Sequence, residues 1–446
     1  MLTKNFIIDE KSLAITRIGL CLVVFIDLLL MWEDRFWFWG SDGLLSDTDA
    51  TRYWSETWIT GPYQFLTSDG FLTPMLCLHL GILISLMAGY KTRLATLLLW
   101  IFTQSLQARN PLILQGFDLA LRVLLFWAIF LPWGRRLSLD SFKTSNASSQ
   151  RKWQNSYVPA LWVSQIAMIY FFTGLSKSIH SPWWNGSAVI DALSLEHLTW
   201  GVSPFLRSLP SFFYQIAASG TLAAELLIAP SVILLKRNLR NSVVAIMILF
   251  HLGLGLCFTL GPFSPAMIFV WLSLYLPSRQ SKNVNILPPS KYSGATFALV
   301  AVFLLTMNFS TFRGTWPEWM YFKPLSTLRL GQSWLMFDNP SDQPDGWFVA
   351  LDLFSQTPVP TKGSGESFEK PALVSSTYAS HRWVKWMMGV ARQNSWTFDG
   401  TKRYFCHHHK LNQTSPGILD LYFMERIKPS DYYEKRMLLS FQCEMP

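Results

Sequence analysis

Charge is scarce in this chain. Asp, Glu, Lys and Arg make up 15% of its 446 residues, against about 25% in soluble domains. So few charges cannot clothe a water-soluble protein of this size. Cysteine is scarce too, and five of them exclude a disulfide-framework miniprotein. No phosphate-cradling glycine loop, zincin motif or Ser-His-Asp signature is present. The net charge of +9 suggests nucleic acid at first sight. The basic residues, however, fall in short clusters between apolar runs and not on one face, so no nucleic-acid partner is expected. What is abundant is apolar: half the residues are hydrophobic, with 33 Phe and 21 Trp, and the mean hydropathy is +0.23. This excludes a disordered or collagen-like chain and predicts an integral membrane protein whose first partner is the lipid bilayer.

Apolar runs long enough, or nearly so, to cross a bilayer lie at 12–32, 73–89, 94–107, 117–133, 156–176, 212–235, 240–258, 262–277 and 293–309. The third and eighth are short. Alternate loops between them hold fifteen and five Lys or Arg residues. The positive-inside rule puts the richer set, which includes Lys4, Lys91, Arg135, Lys236 and Lys282, in the cytoplasm. The expected fold is an all-α polytopic bundle of about nine transmembrane helices, residues 1–309, with its N-terminus inside a cytoplasmic (inner) membrane. The first run carries Arg17 and Asp27 and continues into Trp32–Trp39 without a small-residue cleavage site, so it reads as a span and not as a cleaved signal.

From Ser310 the long apolar runs stop. Residues 310–446 read as a small C-terminal α/β extracytoplasmic domain. Strands are predicted at Gly346–Phe354 and Leu419–Ile427. A helix capped by Ser380 is predicted to carry Trp383, Trp386, Met387 and Val390 on one face. Cys406 and Cys443 both fall in this segment, outside the membrane, and are predicted to form a disulfide. Cys406-His407-His408-His409 lacks a second ligand group at zinc-like spacing, so no metal site is expected.

Ionisable residues inside spans are costly and face protein or a cavity. Arg17, Asp27, His79, Asp118, Arg122, Glu225 and His251 are such residues, and Lys177 ends a span. By topology Asp27, Asp118, Arg122 and Lys177 share the outer level, and Asp118 and Arg122 are spaced to pair along one helix face. For Arg17, near the inner surface, snorkelling or helix-end packing weighs about as much as function. Glu225 and His251 are expected to meet across a hairpin, with His79 at a similar depth. Together these residues predict a polar interior opening outward.

The stretch Tyr170-Phe171-Phe172-Thr173-Gly174-Leu175-Ser176-Lys177, followed by Trp183-Trp184-Asn185-Gly186, resembles the vitamin K-dependent gamma-carboxylase family. More broadly the chain resembles the bacterial horizontally transferred transmembrane domain (HTTM) family. Further matching stretches are Arg17-Ile18-Gly19, Gly40–Leu45, Gly89–Arg93, Arg109-Asn110-Pro111, Leu131-Pro132 with Ser138-Leu139-Asp140, and His251-Leu252 with Gly261-Pro262-Phe263. The likeness covers roughly residues 10–280. It implies that Lys177 is a catalytic base and that the cofactor is a reduced lipid quinone. Ser176 replaces the family's first lysine, and Arg109-Asn110-Pro111 stands where the carboxylase has a histidine tied to quinone oxygenation. The implied activity is carboxylase-like or quinone-dependent lyase or oxidoreductase chemistry at an outward-facing intramembrane site, with Asn110 among the pocket's polar residues. The alternative is a non-catalytic maturation or interaction protein whose tail engages an exported protein or peptide.

Overall fold

The computed structural model describes residues 8–54, 61–65, 68–143, 158–277, seven positions between 298 and 308, 328–412, 417–428 and 432–443. The principal helices of the first part are α1 (Glu10–Leu30), α2 (Asp69–Ala88), α3 (Thr92–Arg109), α4 (Gly116–Ala128), α5 (Val158–Ser178), α6 (Ser211–Ala223), α7 (Arg237–Cys257) and α8 (Phe263–Leu272). α6 runs on through a π turn, Ala224–Ile228, to Ser231. Five of these helices are long and apolar enough to cross a membrane: α1, α2 from Gly70, α5, α6 with its extension, and α7. Leu22, Ile26, Leu29 and Leu30 of α1 and Leu249, Leu252 and Leu256 of α7 are exposed. That much outward-facing leucine and isoleucine fits a lipid environment and not water.

The expected nine spans are thus not all met. α3 is long enough but buries Gln104, Gln107 and Arg109, which makes it an interior helix rather than an apolar one. α4 and α8 are short. The ninth run lies mostly outside the described residues.

Several of the motif stretches are structural joints. Gly89 ends α2 in the left-handed region, at φ +71°, and a Cβ there would sit 2.2 Å from that of Ser138. Asp140 then caps α3, accepting from Lys91 N at 2.9 Å and from Thr92 N and Oγ1 at 2.8 and 2.6 Å. Arg17 is fully buried and donates to the carbonyls of Trp133 and Leu137. Its role is therefore to satisfy chain ends after α4, and it does not snorkel. Arg109 donates to the carbonyls of Gly40 and Leu45 and pairs with Asp47 at 2.7 Å.

In the C-terminal part, β1 (Gly346–Asp352), β2 (Thr357–Pro358), β3 (Gly417–Arg426) and β4 (Tyr433–Cys443) form an antiparallel sheet in the order β2-β1-β3-β4. Two helices, α9 (His381–Ala391) and α10 (Phe398–Asn412), pack with it. Ser380 caps α9, its hydroxyl accepting from Trp383 N. Trp383, Trp386, Met387 and Val390 are completely buried. One apolar cluster runs without a break from the bundle helices into these residues. Polar ties add to it. Glu196, in the loop before α6, takes Arg207 at 2.9 Å, Lys370 at 2.9 Å and Tyr433 at 2.7 Å. Burial alone would raise the Glu196 carboxyl, but these three donors outweigh it and hold the group at about 2.

Cys406 of α10 and Cys443 of β4 are bonded, with their Cα atoms 5.2 Å apart. The bond closes a loop of 37 residues, worth about 4 kcal/mol in the chain-entropy account. Intact-mass measurement after alkylation is expected to show two protected thiols that label only after reduction. Labelling without reductant would show the bond to be absent. His409 Nε2 lies 3.3 Å from Asp352, and no group of three or more His, Cys, Asp or Glu side chains placed to hold a metal ion occurs among the described residues.

Candidate functional site

α5 carries Lys177 one turn beyond Gly174. A Cβ on Gly174 would lie 2.9 Å from Glu225 Cβ and 2.9 Å from Leu226 Cγ, so glycine is what lets α5 approach the π turn this closely. That turn directly precedes Pro230, which has no N–H to give the carbonyl of Leu226. π turns inside α-helices gather at functional sites, and here the turn carries Glu225. Lys177 Nζ donates to both Glu225 oxygens, at 3.0 and 2.9 Å. Both side chains are almost fully buried. The ammonium also lies 5.3 Å from the centre of the Trp183 ring, within cation–π range. Trp183 is pinned in turn, its indole donating to the carbonyls of Phe337 and Asp338 at 3.1 and 2.9 Å.

A second pair faces the same space. The Tyr170 hydroxyl and His251 Nε2 are 2.6 Å apart, and the hydroxyl accepts from Trp271 Nε1 at 2.7 Å. His251 Nδ1 is buried and has no hydrogen-bond partner among the described residues.

Between these groups lies a cavity of about 650 Å³, within the range of small-molecule sites. α5 contributes Tyr170, Thr173 and Lys177 to its wall. α6 and the π turn contribute Phe213, Ala217, Thr221 and Glu225, α7 contributes Leu249, Phe250, His251, Gly253 and Leu254, and α9 contributes Val384, Lys385 and Met388. Most of the lining is aliphatic or aromatic. A Cβ on Gly253 of α7 would meet nothing within 4 Å.

Of the residues expected in the pocket, Lys177, Glu225 and His251 line this cavity, and Asp27, Asp118, Arg122, Asn110 and His79 do not. Glu225 bonds Lys177 and not His251, whose partner is Tyr170. Asp118 and Arg122 do not pair with each other. Arg122 donates to Gln107 Oε1 at 2.7 Å and to the Arg329 carbonyl at 2.9 Å. Asp27 and Asp118 instead share Arg382 of α9, whose Nη2 lies 3.0 Å from Asp27 and 3.1 Å from Asp118. Burial alone would lower the Arg382 guanidinium, but the two carboxylates outweigh it and hold it above its ordinary value. The counter-ion of Lys177 is therefore Glu225, and not Asp27 or Asp118, which were expected at its level. His79 is buried among Tyr63, Thr103 and Phe102. Asn110 donates to the Phe38 carbonyl at 3.0 Å and accepts from Leu112 N at 3.2 Å. Both are packing groups.

Sequence reasoning missed Arg382, Lys385 and Arg392, and gave Tyr170 no role although it begins the motif. Nothing in the sequence singled out Arg382, which lies far along the chain from both of its partners.

A family model of the HTTM domain matches residues 5–278. No curated protein matches the chain, and neither does any solved structure. The matched segment holds Lys177, Glu225, Tyr170 and His251 and exceeds half of the sequence, so the chain belongs to the HTTM domain family, as an integral membrane protein.

Proposed function

We propose that this protein is a membrane-embedded acid–base catalyst acting on a lipid-soluble ligand, a reduced lipid quinone in the first instance. The observation that carries the reading is the buried Lys177–Glu225 pair at the wall of an apolar cavity. An ammonium and a carboxylate in contact can exchange one proton without altering their joint charge. Lys177 then becomes a neutral amine, able to take a proton at Nζ from an acidic O–H or C–H, while Glu225 holds the proton it received. The Trp183 ring excludes water from one side of the amine. Tyr170 and His251, in contact at the same wall, add polar groups beside the amine. The donor set fits a quinone: two polar positions set in aliphatic and aromatic wall. When bound, a reduced quinone supplies an acidic hydroxyl and reducing equivalents. The Lys and Arg asymmetry between loops supports placing this end of the bundle, with the C-terminal part, on the extracytoplasmic side of an inner membrane.

Gly253 gives a test, because it lines the cavity and a Cβ there meets no neighbour within 4 Å. Gly253→Leu is expected to weaken binding of a decyl-substituted benzoquinone at least tenfold, read by equilibrium dialysis in nanodiscs. Its thermal midpoint should stay at or above the native one, since glycine is the weaker helix former. Absence of binding to the native protein, or equal binding to the variant, overturns the reading.

A further inference from the structure

The charges around the cavity do not balance. Its charged lining residues are Lys177, Glu225, Lys385 and Arg392, together with the histidines His197 and His251. Glu225 gives both oxygens to Lys177. His197 is taken by Asp345, at 2.9 Å. Lys385 and Arg392 remain, and the lining holds no carboxylate for either.

Their placement follows from α9. The two residues are seven apart, nearly two full turns, so they lie on one face. That face also gives Val384 and Met388 to the cavity. The opposite face of α9 is the buried one, with Trp383, Trp386, Met387 and Val390. Among the described residues Lys385 has no ion pair or hydrogen bond, and Arg392 has one side-chain hydrogen bond, to the amide oxygen of Gln343. Both side chains keep an open surface, yet protein crowds them, as befits the wall of a concave site. Crowding lowers the Lys385 ammonium below its ordinary value and Arg392 lowers it further, while more distant Asp118 works the other way. Crowding lowers the Arg392 guanidinium as well. Two cations at one wall of the cavity make that wall attractive to an anion.

We propose that Lys385 and Arg392 bind the anionic end, a carboxylate or a phosphate, of an amphiphile whose apolar body occupies the cavity. Arg392 offers a planar fork suited to either oxyanion, and Lys385 a point charge beside it. The apolar body lies against Phe213, Leu249, Leu254 and Met388. The inference rests on the cavity being a ligand site, as in the proposed function, but not on proton transfer at Lys177.

The test uses the full chain in nanodiscs of uncharged, zwitterionic lipid, with dodecanoate, dodecyl phosphate and dodecanol as probes in equilibrium dialysis. Dodecanoate and dodecyl phosphate are expected to bind at least tenfold tighter than dodecanol. In the double variant Lys385→Gln, Arg392→Gln both should fall to the dodecanol level, about a ten- to hundredfold loss, with dodecanol itself unchanged. Equal binding of dodecanol and dodecanoate to the native protein overturns the proposal, and that comparison needs no variant. So does undiminished anion binding in the double variant. Inorganic phosphate binding as tightly as dodecyl phosphate overturns it too, because the apolar body would then contribute nothing. Displacement of dodecanoate by phosphatidylglycerol introduced into the disc supports the proposal and assigns the ligand to the bilayer. Retained dodecanoate binding without displacement supports it with a ligand from solution. The decyl benzoquinone measurement separates the two readings: if the quinone does not bind but dodecanoate does, through Lys385 and Arg392, proton chemistry on a quinone falls and anion recognition stands.

Discussion

Replacing Arg382 with alanine is expected to destabilise the protein by about 3–5 kcal/mol, the range for removing one partner from a buried ion pair. Asp27 of α1 and Asp118 of α4 are both nearly fully buried, and Arg382 is the guanidinium between them. Asp118 keeps a second donor, Gln115 N at 2.8 Å, so Asp27 bears most of the loss. His381 stands 3.5 Å from Asp27, but burial lowers its imidazole below the ordinary value, so it is a poor replacement cation near neutral pH. The measurement is the thermal midpoint and its detergent dependence for Arg382→Ala, beside Asp27→Asn, Asp118→Asn and their combination with it. Neutralising both carboxylates should recover most of the stability lost with Arg382, because the uncompensated charge is what carries the penalty. A change below about 1 kcal/mol for Arg382→Ala would show the cluster to be solvated and the assignment of its burial to be wrong. Arg382 lies one turn before Lys385 on α9, so the same variant should also loosen the cavity wall.

That cluster shows what was legible in the sequence and what was not. The first eight apolar runs each fall on one of the principal helices of the first part, five of which are long and apolar enough to span, because their lipid-facing and most of their core-facing positions are hydrophobic. The intramembrane carboxylates were visible for the same reason, since Asp27 and Asp118 interrupt apolar stretches. Their partner was not. Arg382 is 355 residues from Asp27 and 264 from Asp118, in a segment whose polar composition makes one more arginine unremarkable. Spacing along a helix pointed instead to Arg122, which the fold commits to Gln107 and a backbone carbonyl. Depth reasoning placed Glu225 and His251 on a common cavity but misread the contacts, because the π turn changes which way Glu225 projects and a fixed rise per residue does not anticipate it. The α9 face bearing Trp383 and Trp386 was readable from its period. The opposite face, with Lys385 and Arg392, looked like an ordinary solvated side, and only the cavity gives it another meaning.

The largest effect on chemistry is expected at Lys177, and three variants separate its possible roles. Lys177→Met leaves Glu225 buried without a cation, so it should lose about 3–5 kcal/mol or bind a proton in compensation. Lys177→Met with Glu225→Leu removes both charges and fills the space with apolar atoms, and should return close to native stability. Lys177→Arg keeps the ion pair and the fold but stays protonated at any accessible pH. A general base contributes about a hundred- to ten-thousandfold to a proton transfer. That rate can be read without the natural substrate, from the exchange of the acidic central hydrogens of an alkyl β-diketone for deuterium in nanodiscs. Native protein should accelerate the exchange, and all three variants should lose that acceleration, although only Lys177→Met is unstable. The loss in Lys177→Arg is the decisive one, since its charge and its partner are intact. If Lys177→Arg exchanges the probe as fast as the native protein, the amine is not the base and the pair only holds α5 to the π turn. If exchange falls in Lys177→Arg while the thermal midpoint holds, the proton passes through Nζ, and the ion pair with Glu225 is the resting state of the base.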